Sequence, residues 1–133
     1  MKKVLIINAE YYTQINKLLL KNTIKDLNKS KIKYSTIKVP GVFEIPVIIA
    51  KYAKKFDAFI ALGCVIKGET PHFDLICNST FHALMTLSIK EKKPIGNGII
   101  TALNISQANK RSKLKGLEAT KAVTSVLINV PTK

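Results

Sequence analysis

The apolar run Ala58–Ile66, with the sequence AFIALGCVI, constrains the fold of this chain more than any other segment. A strand without charged residues must be covered on both of its faces, which is typical of the inner strands of a parallel sheet. Parallel strands cannot be joined by tight hairpins and need crossover connections, most often helices. The run therefore predicts a chain in which strands and helices alternate.

The remaining periodicity agrees with such an alternation. Strands are predicted at Lys3–Ala9, Tyr34–Val39, Ala58–Ile66 and Ile95–Thr101. Helices are predicted at Ile15–Leu27, Phe43–Phe56, Phe73–Lys90, Ser106–Ser112 and Gly116–Val130. Thr13 and Ser106 are candidate N-caps, and Pro46 is tolerable only in a first helical turn. The pattern indicates an α/β protein: a flavodoxin-like, three-layer α/β/α sandwich around a four-stranded parallel sheet, in a single domain over residues 1–133.

Composition restricts the classes of function. The net charge of +14 raises nucleic acid as a partner, but the lysines are scattered and Arg111 is the only arginine among 22 basic residues. Because arginine is favoured for bidentate contacts to phosphates and bases, nucleic-acid binding is the second hypothesis rather than the first. Cys64 and Cys77 form no C-x-x-C pair and the chain has two histidines, which argues against a zinc site. No apolar run has the length of a membrane span and no targeting signal is recognised, so the expected location is the cytoplasm.

Ligands of such sheets bind beyond the carboxyl ends of the strands. The residues that follow the four predicted strands are Glu10–Tyr12, Gly41–Glu44, Lys67–His72 and Thr101–Asn104. The first of these loops lacks the Ser/Thr-rich phosphate cradle expected for a flavin mononucleotide, which disfavours a flavodoxin-like electron carrier.

The third loop, Lys67–His72, has the residues of an anion site at a helix start. Gly68 permits a turn, Thr70 can cap the following helix, and Pro71 suits its first position. Unpaired backbone N–H groups at that point favour an anion, and an imidazole such as that of His72 can move protons near neutral pH. The alternative is that Thr70 and Pro71 only cap the helix and His72 is a surface residue. The loop alone leaves both interpretations open.

The other loops carry weaker signals. Phe43 can stack on a flat ring and Glu44 can accept hydrogen bonds from hydroxyl groups, but spacing alone favours a purely structural role at a helix start. Tyr11 and Tyr12 offer a further stacking surface. Near the carboxyl terminus Arg111 can bind a phosphate bidentately, although a solvated basic turn is the simpler interpretation of its surroundings.

Five segments together resemble the lumazine synthase family. They are VPGVFEIP, GCVIKGETPHFD, KPIGNGIIT, SQANKR and KGLEA, which follow one another in the order of the family. The similarity as a whole covers essentially the entire chain. The resemblance implies the family's α/β sandwich and the condensation of 5-amino-6-(D-ribitylamino)uracil with 3,4-dihydroxy-2-butanone 4-phosphate. The products are 6,7-dimethyl-8-ribityllumazine, phosphate and water, in the penultimate step of riboflavin biosynthesis. Neither a metal nor an organic cofactor is implied.

The resemblance also implies roles for individual residues. His72 corresponds to the proton-transfer histidine of the family. Binding of the pyrimidine and its ribityl chain is implied for Tyr11, Val42, Phe43, Glu44, Cys64, Val65, Ile66 and Asn97, the last of these supplied by a neighbouring subunit. Phosphate binding is implied for Glu69, Thr70, Arg111 and Lys115. Departures from the family pattern include Tyr11 where Phe or Trp is usual, Tyr12 where Asn is common, and Asn97 where many members have Phe.

Assembly is a further implication of the resemblance. Family members form pentamers with active sites between adjacent subunits, and some pentamers build larger shells, so a homo-oligomer acting on small molecules is expected. Here the first predicted strand begins almost at Met1, and the predicted turn between the last two helices, KRSKLKG, is short. The charge of +14 per chain opposes close packing of many pentamers. These features predict an isolated pentamer, or at most a decamer.

Overall fold

The computed structural model describes residues 2–132, so the two end residues of the predicted domain, Met1 and Lys133, lie outside the described residues. The strands are β1 (Lys3–Ala9), β2 (Lys33–Val39), β3 (Ala58–Ile66) and β4 (Ile95–Ala102). The helices are α1 (Thr13–Lys29), α2 (Ile45–Tyr52), α3 (His72–Glu91) and α4 (Ile105–Leu127), with a 3-10 turn at Val42–Glu44 before α2. The four predicted strands are confirmed to within one residue at each end.

The strands form one parallel sheet in the order β2-β1-β3-β4, which places β3 in its interior. Successive residues of β1 point to opposite faces of this sheet. Val4 and Ile6 belong to a core that includes residues of α1 and α4, whereas Leu5 and Ile7 belong to a second core that includes residues of α2 and α3. Helices therefore cover both faces of the sheet, which confirms the predicted three-layer α/β/α sandwich.

The end of the chain differs from the prediction, because the single helix α4 replaces two helices and the turn between them. Its N-cap is Asn104 rather than Ser106, and the Asn104 side chain accepts a hydrogen bond from Gln107 N–H at 2.9 Å. Gly116, which was expected to begin a helix, lies inside α4. A Cβ atom at this position would lie 2.7 Å from Thr23 Oγ1 on α1. The glycine thus allows two helices to approach closely and marks no boundary.

The starts of two other helices also differ from the prediction. Thr13 is the first residue of α1 and not its N-cap, and its hydroxyl donates to the carbonyl of Glu10 at 3.2 Å. The predicted helix Phe43–Phe56 is replaced by the 3-10 turn and the shorter α2, in which Pro46 lies in the first turn as expected. Within residues 2–132, no helix is both long enough and apolar enough to cross a membrane.

Gly96 on β4 provides a test of how tightly α4 packs on the sheet. A Cβ atom at this position would overlap the carbonyl oxygen of Ala119 and lie 3.0 Å from Cγ2 of Val123, both on α4. We expect Gly96→Ala to lower the free energy of unfolding by about 1–3 kcal/mol, because backbone must move to relieve the overlap. Urea denaturation measures the change, provided that the slope of the transition is conserved.

Gly68→Ala is the matched control, since a Cβ atom there would meet nothing within 4 Å and the φ angle of Gly68 is not positive. Its free energy of unfolding should stay the same or rise by up to about 1 kcal/mol, because alanine restricts the unfolded chain. Equal midpoints for the wild type and Gly96→Ala would contradict the tight packing of α4 on β4.

Candidate active site

A cavity of about 490 Å³, termed the strand-end cavity, opens at the carboxyl edge of the sheet. Its wall combines the loops after β1, β2 and β3 with the first turns of α3. The residues that line it are Tyr11, Tyr12, Gly41, Val42, Phe43, Cys64, Val65, Ile66, Gly68, Thr70, His72, Phe73 and Ile76. Loops, the end of β3 and the start of α3 thus bring together eight of the predicted site residues.

Two aromatic rings border this cavity with much of their surface open. Tyr11 is 76% exposed and Phe43 is 60% exposed. The ring of Tyr12 lies edge to face with that of Tyr11, at a centroid distance of 5.0 Å, and so supports it from one side. Exposed aromatic rings beside a cavity are suited to stacking on a flat heteroaromatic ligand.

The loop after β2 is held in shape by hydrogen bonds within itself. The Oε1 atom of Glu44 accepts a hydrogen bond from Gly41 N–H at 3.0 Å, and Glu44 N–H donates to the carbonyl of Gly41 at 3.2 Å. Glu44 itself does not line the cavity, although Gly41 does. Beneath the loop, a Cβ atom at Gly63 would lie 2.5 Å from Cγ1 of Val42, so β3 passes directly under this part of the wall.

The end of β3 forms an uncharged part of the wall. Burial raises the pKa of the Cys64 thiol to about 11, so this side chain stays protonated near neutral pH. Burial also raises the pKa of Tyr12, and the neighbouring Cys64 and Tyr11 raise it further. Val65 and Ile66 add apolar surface. This region therefore favours an uncharged ring over an anion.

The first turn of α3 contributes the polar side of the cavity. His72 is the first helical residue and is exposed. Its backbone N–H donates to Thr70 Oγ1 at 3.4 Å, although the N-cap position belongs to Pro71, which was expected one position further into the helix. The imidazole and the hydroxyl line the same cavity, where they can exchange protons and hydrogen bonds with a ligand.

Arg111 and Lys115 lie apart from the strand-end cavity. They belong to a separate hollow of about 380 Å³, termed the β4–α4 depression, which is lined by Ile100, Thr101, Lys110, Arg111, Leu114, Lys115 and Glu118. The Nη1 atom of Arg111 donates to the carbonyl oxygen of Thr101, and Lys115 pairs with Glu118 at 3.6 Å. The two hollows share no lining residue. The predicted phosphate-binding residues are therefore divided, with Thr70 in one hollow and Arg111 in the other.

Besides Glu44, two predicted site residues line neither hollow. Glu69 is an exposed residue of the loop before α3. Asn97 lies on β4, the outer strand of the sheet, and its Oδ1 accepts a hydrogen bond from Ile99 N–H at 3.0 Å. Within one chain, these side chains do not contribute to the wall of the strand-end cavity.

Five lining residues had not been predicted as part of the site. Tyr12, Gly41 and Gly68 lie in the loops at the strand ends, where Tyr12 was expected as a stacking surface and Gly68 as a turn residue, but none was assigned to substrate binding. Phe73 and Ile76 follow His72 by one and four residues, and the helical period places Ile76 on the same face as His72. No metal site is found either. Among the described residues, no three His, Cys, Asp or Glu side chains cluster so that they could hold a metal ion.

Comparison with known proteins gives one consistent result. The sequence profile of a family described as 6,7-dimethyl-8-ribityllumazine synthase matches residues 1–130. A protein of that name from Bartonella tribocorum is 45% identical over 114 residues, which cover 83% of this chain and 75% of the relative. Another from Nitrobacter hamburgensis is 36% identical, covering 94% of this chain and 83% of the relative. A third, from Sphingopyxis alaskensis, is 39% identical, covering 96% and 94%.

The buried thiol of Cys64 leads to a prediction about its reactivity. A pKa of about 11 instead of 9.0 lowers the thiolate fraction near pH 8 about a hundredfold, and the thiolate is the reactive form. In a Cys77→Ala background, iodoacetamide should therefore modify the folded protein at least about a hundredfold more slowly than the urea-unfolded chain. Mass spectrometry follows the reaction. The rate for the folded protein should rise with pH up to about 11, and equal rates at pH 8 would contradict the burial of Cys64.

Proposed function

The chain belongs to the 6,7-dimethyl-8-ribityllumazine synthase family, and we propose that it carries out the reaction of that family in the strand-end cavity. The enzyme condenses 5-amino-6-(D-ribitylamino)uracil with 3,4-dihydroxy-2-butanone 4-phosphate and yields 6,7-dimethyl-8-ribityllumazine, phosphate and water. Support for this location comes from the convergence of Phe43 after β2, Cys64 at the end of β3 and His72 at the start of α3 on one cavity of about 490 Å³. A cavity of this size at the carboxyl ends of parallel strands suits a small molecule.

The pyrimidine substrate binds to the apolar part of the cavity. Its flat ring stacks on Tyr11 and Phe43, whose faces are open, and rests on the uncharged end of β3. Val42 lies next to the ribityl chain. Glu44 affects the ribityl chain mainly through the shape of the loop, because one of its carboxylate oxygens accepts a hydrogen bond from Gly41 N–H.

Proton transfer belongs to His72 on the polar side of the cavity. Attack of the substrate amine on the ketone gives a carbinolamine, and loss of water from it gives an imine. The departing oxygen needs a proton, which an imidazole in the cavity wall supplies. Elimination of phosphate and ring closure with loss of water then complete the lumazine. Holding two substrates in a reactive pose provides much of the rate, and proton transfer adds to it.

The phosphate site is completed by a second copy of the chain. Thr70 lines the strand-end cavity and Glu69 lies in the same loop, whereas Arg111 and Lys115 line the β4–α4 depression. A phosphate held near Thr70 therefore gains the guanidinium of Arg111 only when a neighbouring chain brings its depression against the cavity. Asn97, on the outer strand β4, approaches the cavity in the same way.

Exposed apolar side chains near both hollows support such a contact. Leu103 and Leu114 are 60% and 62% exposed in the region of β4 and α4, and Leu75 on α3 is 63% exposed. Exposed apolar surface of this kind favours association between copies.

The assembly is a pentamer, or at most a pair of pentamers, since a charge of +14 per chain opposes larger packing. The segment KRSKLKG no longer supports this limit, because it is helical within α4 and forms no turn.

The cellular location that we propose is the cytoplasm. Both cysteines, Cys64 and Cys77, are free in the structure. Unpaired thiols fit a reducing compartment, in which disulfides rarely persist.

The direct test of the proposed function is to mix the purified protein with both substrates and follow the absorbance of the lumazine. In the same assay His72→Ala should lower kcat by roughly a hundredfold, the lower end of what general acid–base catalysis contributes, without abolishing turnover. His82→Ala is the matched control, because His82 is exposed on α3 and lies outside the cavity wall. Wild-type turnover in His72→Ala, with an intact fold by circular dichroism, would remove this histidine from the mechanism.

Arg111→Lys tests the assignment of the phosphate site. The planar guanidinium can hold two phosphate oxygens at once, whereas an ammonium supplies a point charge. We therefore expect the KM for the butanone phosphate to rise by about tenfold, equivalent to about 1.4 kcal/mol, with little change in the KM for the pyrimidine. Lys113→Arg, which makes the opposite exchange on the same helix outside the depression, should change neither constant. Equal increases for both substrates in Arg111→Lys would contradict the assignment.

Sharing of the site between copies predicts rescue in mixed oligomers. If His72→Ala and Arg111→Ala chains are co-refolded, some interfaces combine an intact cavity with an intact depression, so activity should exceed that of either variant alone. Co-refolding His72→Ala with Thr70→Ala is the control, because both changes affect the same cavity and no interface regains a complete site. Rescue in both mixtures, or in neither, would contradict a shared site.

Light scattering supplies the mass of the assembly: a value near sixty chains, or an active monomer, would contradict the pentamer.

A further inference from the structure

We infer that Tyr12 is a specificity-determining residue whose hydroxyl donates a hydrogen bond to an oxygen of the pyrimidine substrate. This inference rests on the proposed function, and it gives a hydrogen-bonding role to a residue that the sequence offered only as a stacking surface. Tyr12 lines the strand-end cavity together with its neighbour Tyr11. The two tyrosines nevertheless differ in their surroundings. The difference suits Tyr11 to stacking on a ring and Tyr12 to donating a hydrogen bond.

The ring of Tyr12 is fixed at the base of the cavity. Tyr12 occupies the N-cap position of α1, and its carbonyl accepts a hydrogen bond from Asn16 N–H at 2.9 Å. Its half-buried side chain packs against the core that includes Ile15, Leu19 and Cys64. Tyr11, by contrast, is 76% exposed. A ring anchored in this way presents its hydroxyl in a defined place, so that little conformational entropy is lost when a ligand binds.

Hydrogen-bond donors are scarce in the cavity wall. Most of the lining side chains are apolar or are glycines, and besides Tyr12 only Tyr11, Thr70 and His72 carry an O–H or ring N–H group. The Cys64 thiol is a weak donor. The Tyr12 hydroxyl takes part in none of the side-chain hydrogen bonds found within residues 2–132. The hydroxyl is not among the buried unpaired atoms of the described residues, so it is open to the cavity and a ligand can supply its acceptor.

The protonation state of Tyr12 fits this role. Burial, with the neighbouring Cys64 and Tyr11, raises the pKa of the phenol, so near neutral pH it carries its proton and acts as a donor. Cys64 is also neutral there and does not compete as a strong acceptor. Carbonyl oxygens of a uracil ring and hydroxyl oxygens of a ribityl chain are acceptors of the matching kind. The butanone phosphate has its charge at the other end of the proposed site, beside Thr70.

If Tyr12 had a purely structural role, loss of its hydroxyl oxygen would leave binding of the pyrimidine unchanged. Removing this one atom therefore distinguishes the two roles. The aromatic ring packs against the core and lies edge to face with Tyr11. Tyr12→Phe keeps both of these contacts and removes only the hydroxyl. Tyr34→Phe is the matched control, because Tyr34 is also half-buried and packs against the same core, but it lies near the opposite end of the sheet, at the start of β2, and does not line the cavity.

The experiment is a calorimetric titration of each variant with 5-amino-6-(D-ribitylamino)uracil alone, so that binding is measured without turnover. Tyr12→Phe should weaken binding by about three- to tenfold, the usual effect of removing one neutral hydrogen bond, whereas Tyr34→Phe should change it less than about twofold. In the complete reaction, Tyr12→Phe should raise the KM for the pyrimidine by a similar factor and leave the KM for the butanone phosphate unchanged. Thermal melts of the variants confirm that the fold is intact.

Two outcomes would overturn the inference while leaving the proposed function in place. One is unchanged pyrimidine binding in Tyr12→Phe beside normal lumazine formation by the wild type. The other is an equal loss of affinity in Tyr34→Phe, which would assign the effect to the core. A wild-type protein that binds the pyrimidine but forms no lumazine would instead contradict the proposed function, and the titration of Tyr12→Phe would still decide whether this hydroxyl binds the pyrimidine.

Discussion

The strand β3 is paired on both edges, with β1 and β4, and is covered by helices on both faces. A strand in this position has no room for charged side chains along its length, so its chemistry is confined to the point where it emerges, at Cys64–Ile66. Because all strands of the sheet are parallel, their carboxyl ends emerge at one edge and their loops converge there. The place of the cavity is therefore determined by the burial of β3 before any catalytic side chain is considered.

Close approach between the layers determines where the functional groups lie. Gly96 lets the backbone of β4 meet α4 at Ala119, and Gly116 lets α4 meet α1 at Thr23. A helix held so near the sheet has little freedom to shift along its axis. The guanidinium of Arg111 reaches the carbonyl of Thr101 at the end of β4 because the register of α4 on the sheet is fixed in this way.

Much of this arrangement could be predicted from the sequence, because buried parallel strands leave long apolar runs and their loops mark the binding edge. The four strands and most of the cavity wall could be predicted in this way. The continuity of α4 could not be predicted, since Gly116 reads as a helix boundary unless its contact with Thr23 is known. Tyr12 was expected only as a stacking surface like Tyr11, because adjacent tyrosines in a loop cannot be told apart until their burial is known. Arg111 and Thr70 lie in separate hollows because of the way α4 packs beside the sheet. Local sequence patterns contain no information about this packing.

If the phosphate site is shared between two copies as proposed, binding of the phosphorylated substrate depends on the concentration of the chain itself. The side chains that line the strand-end cavity include no Lys, Arg, Asp or Glu. In the proposed arrangement a lone chain can bind the uncharged pyrimidine, whereas the cations that bind the phosphate come from a neighbouring chain. By mass action, dilution that separates the chains would then weaken binding of the phosphorylated substrate before binding of the pyrimidine. The order in which the two substrates are lost thus becomes a measure of the equilibrium between free and associated chains.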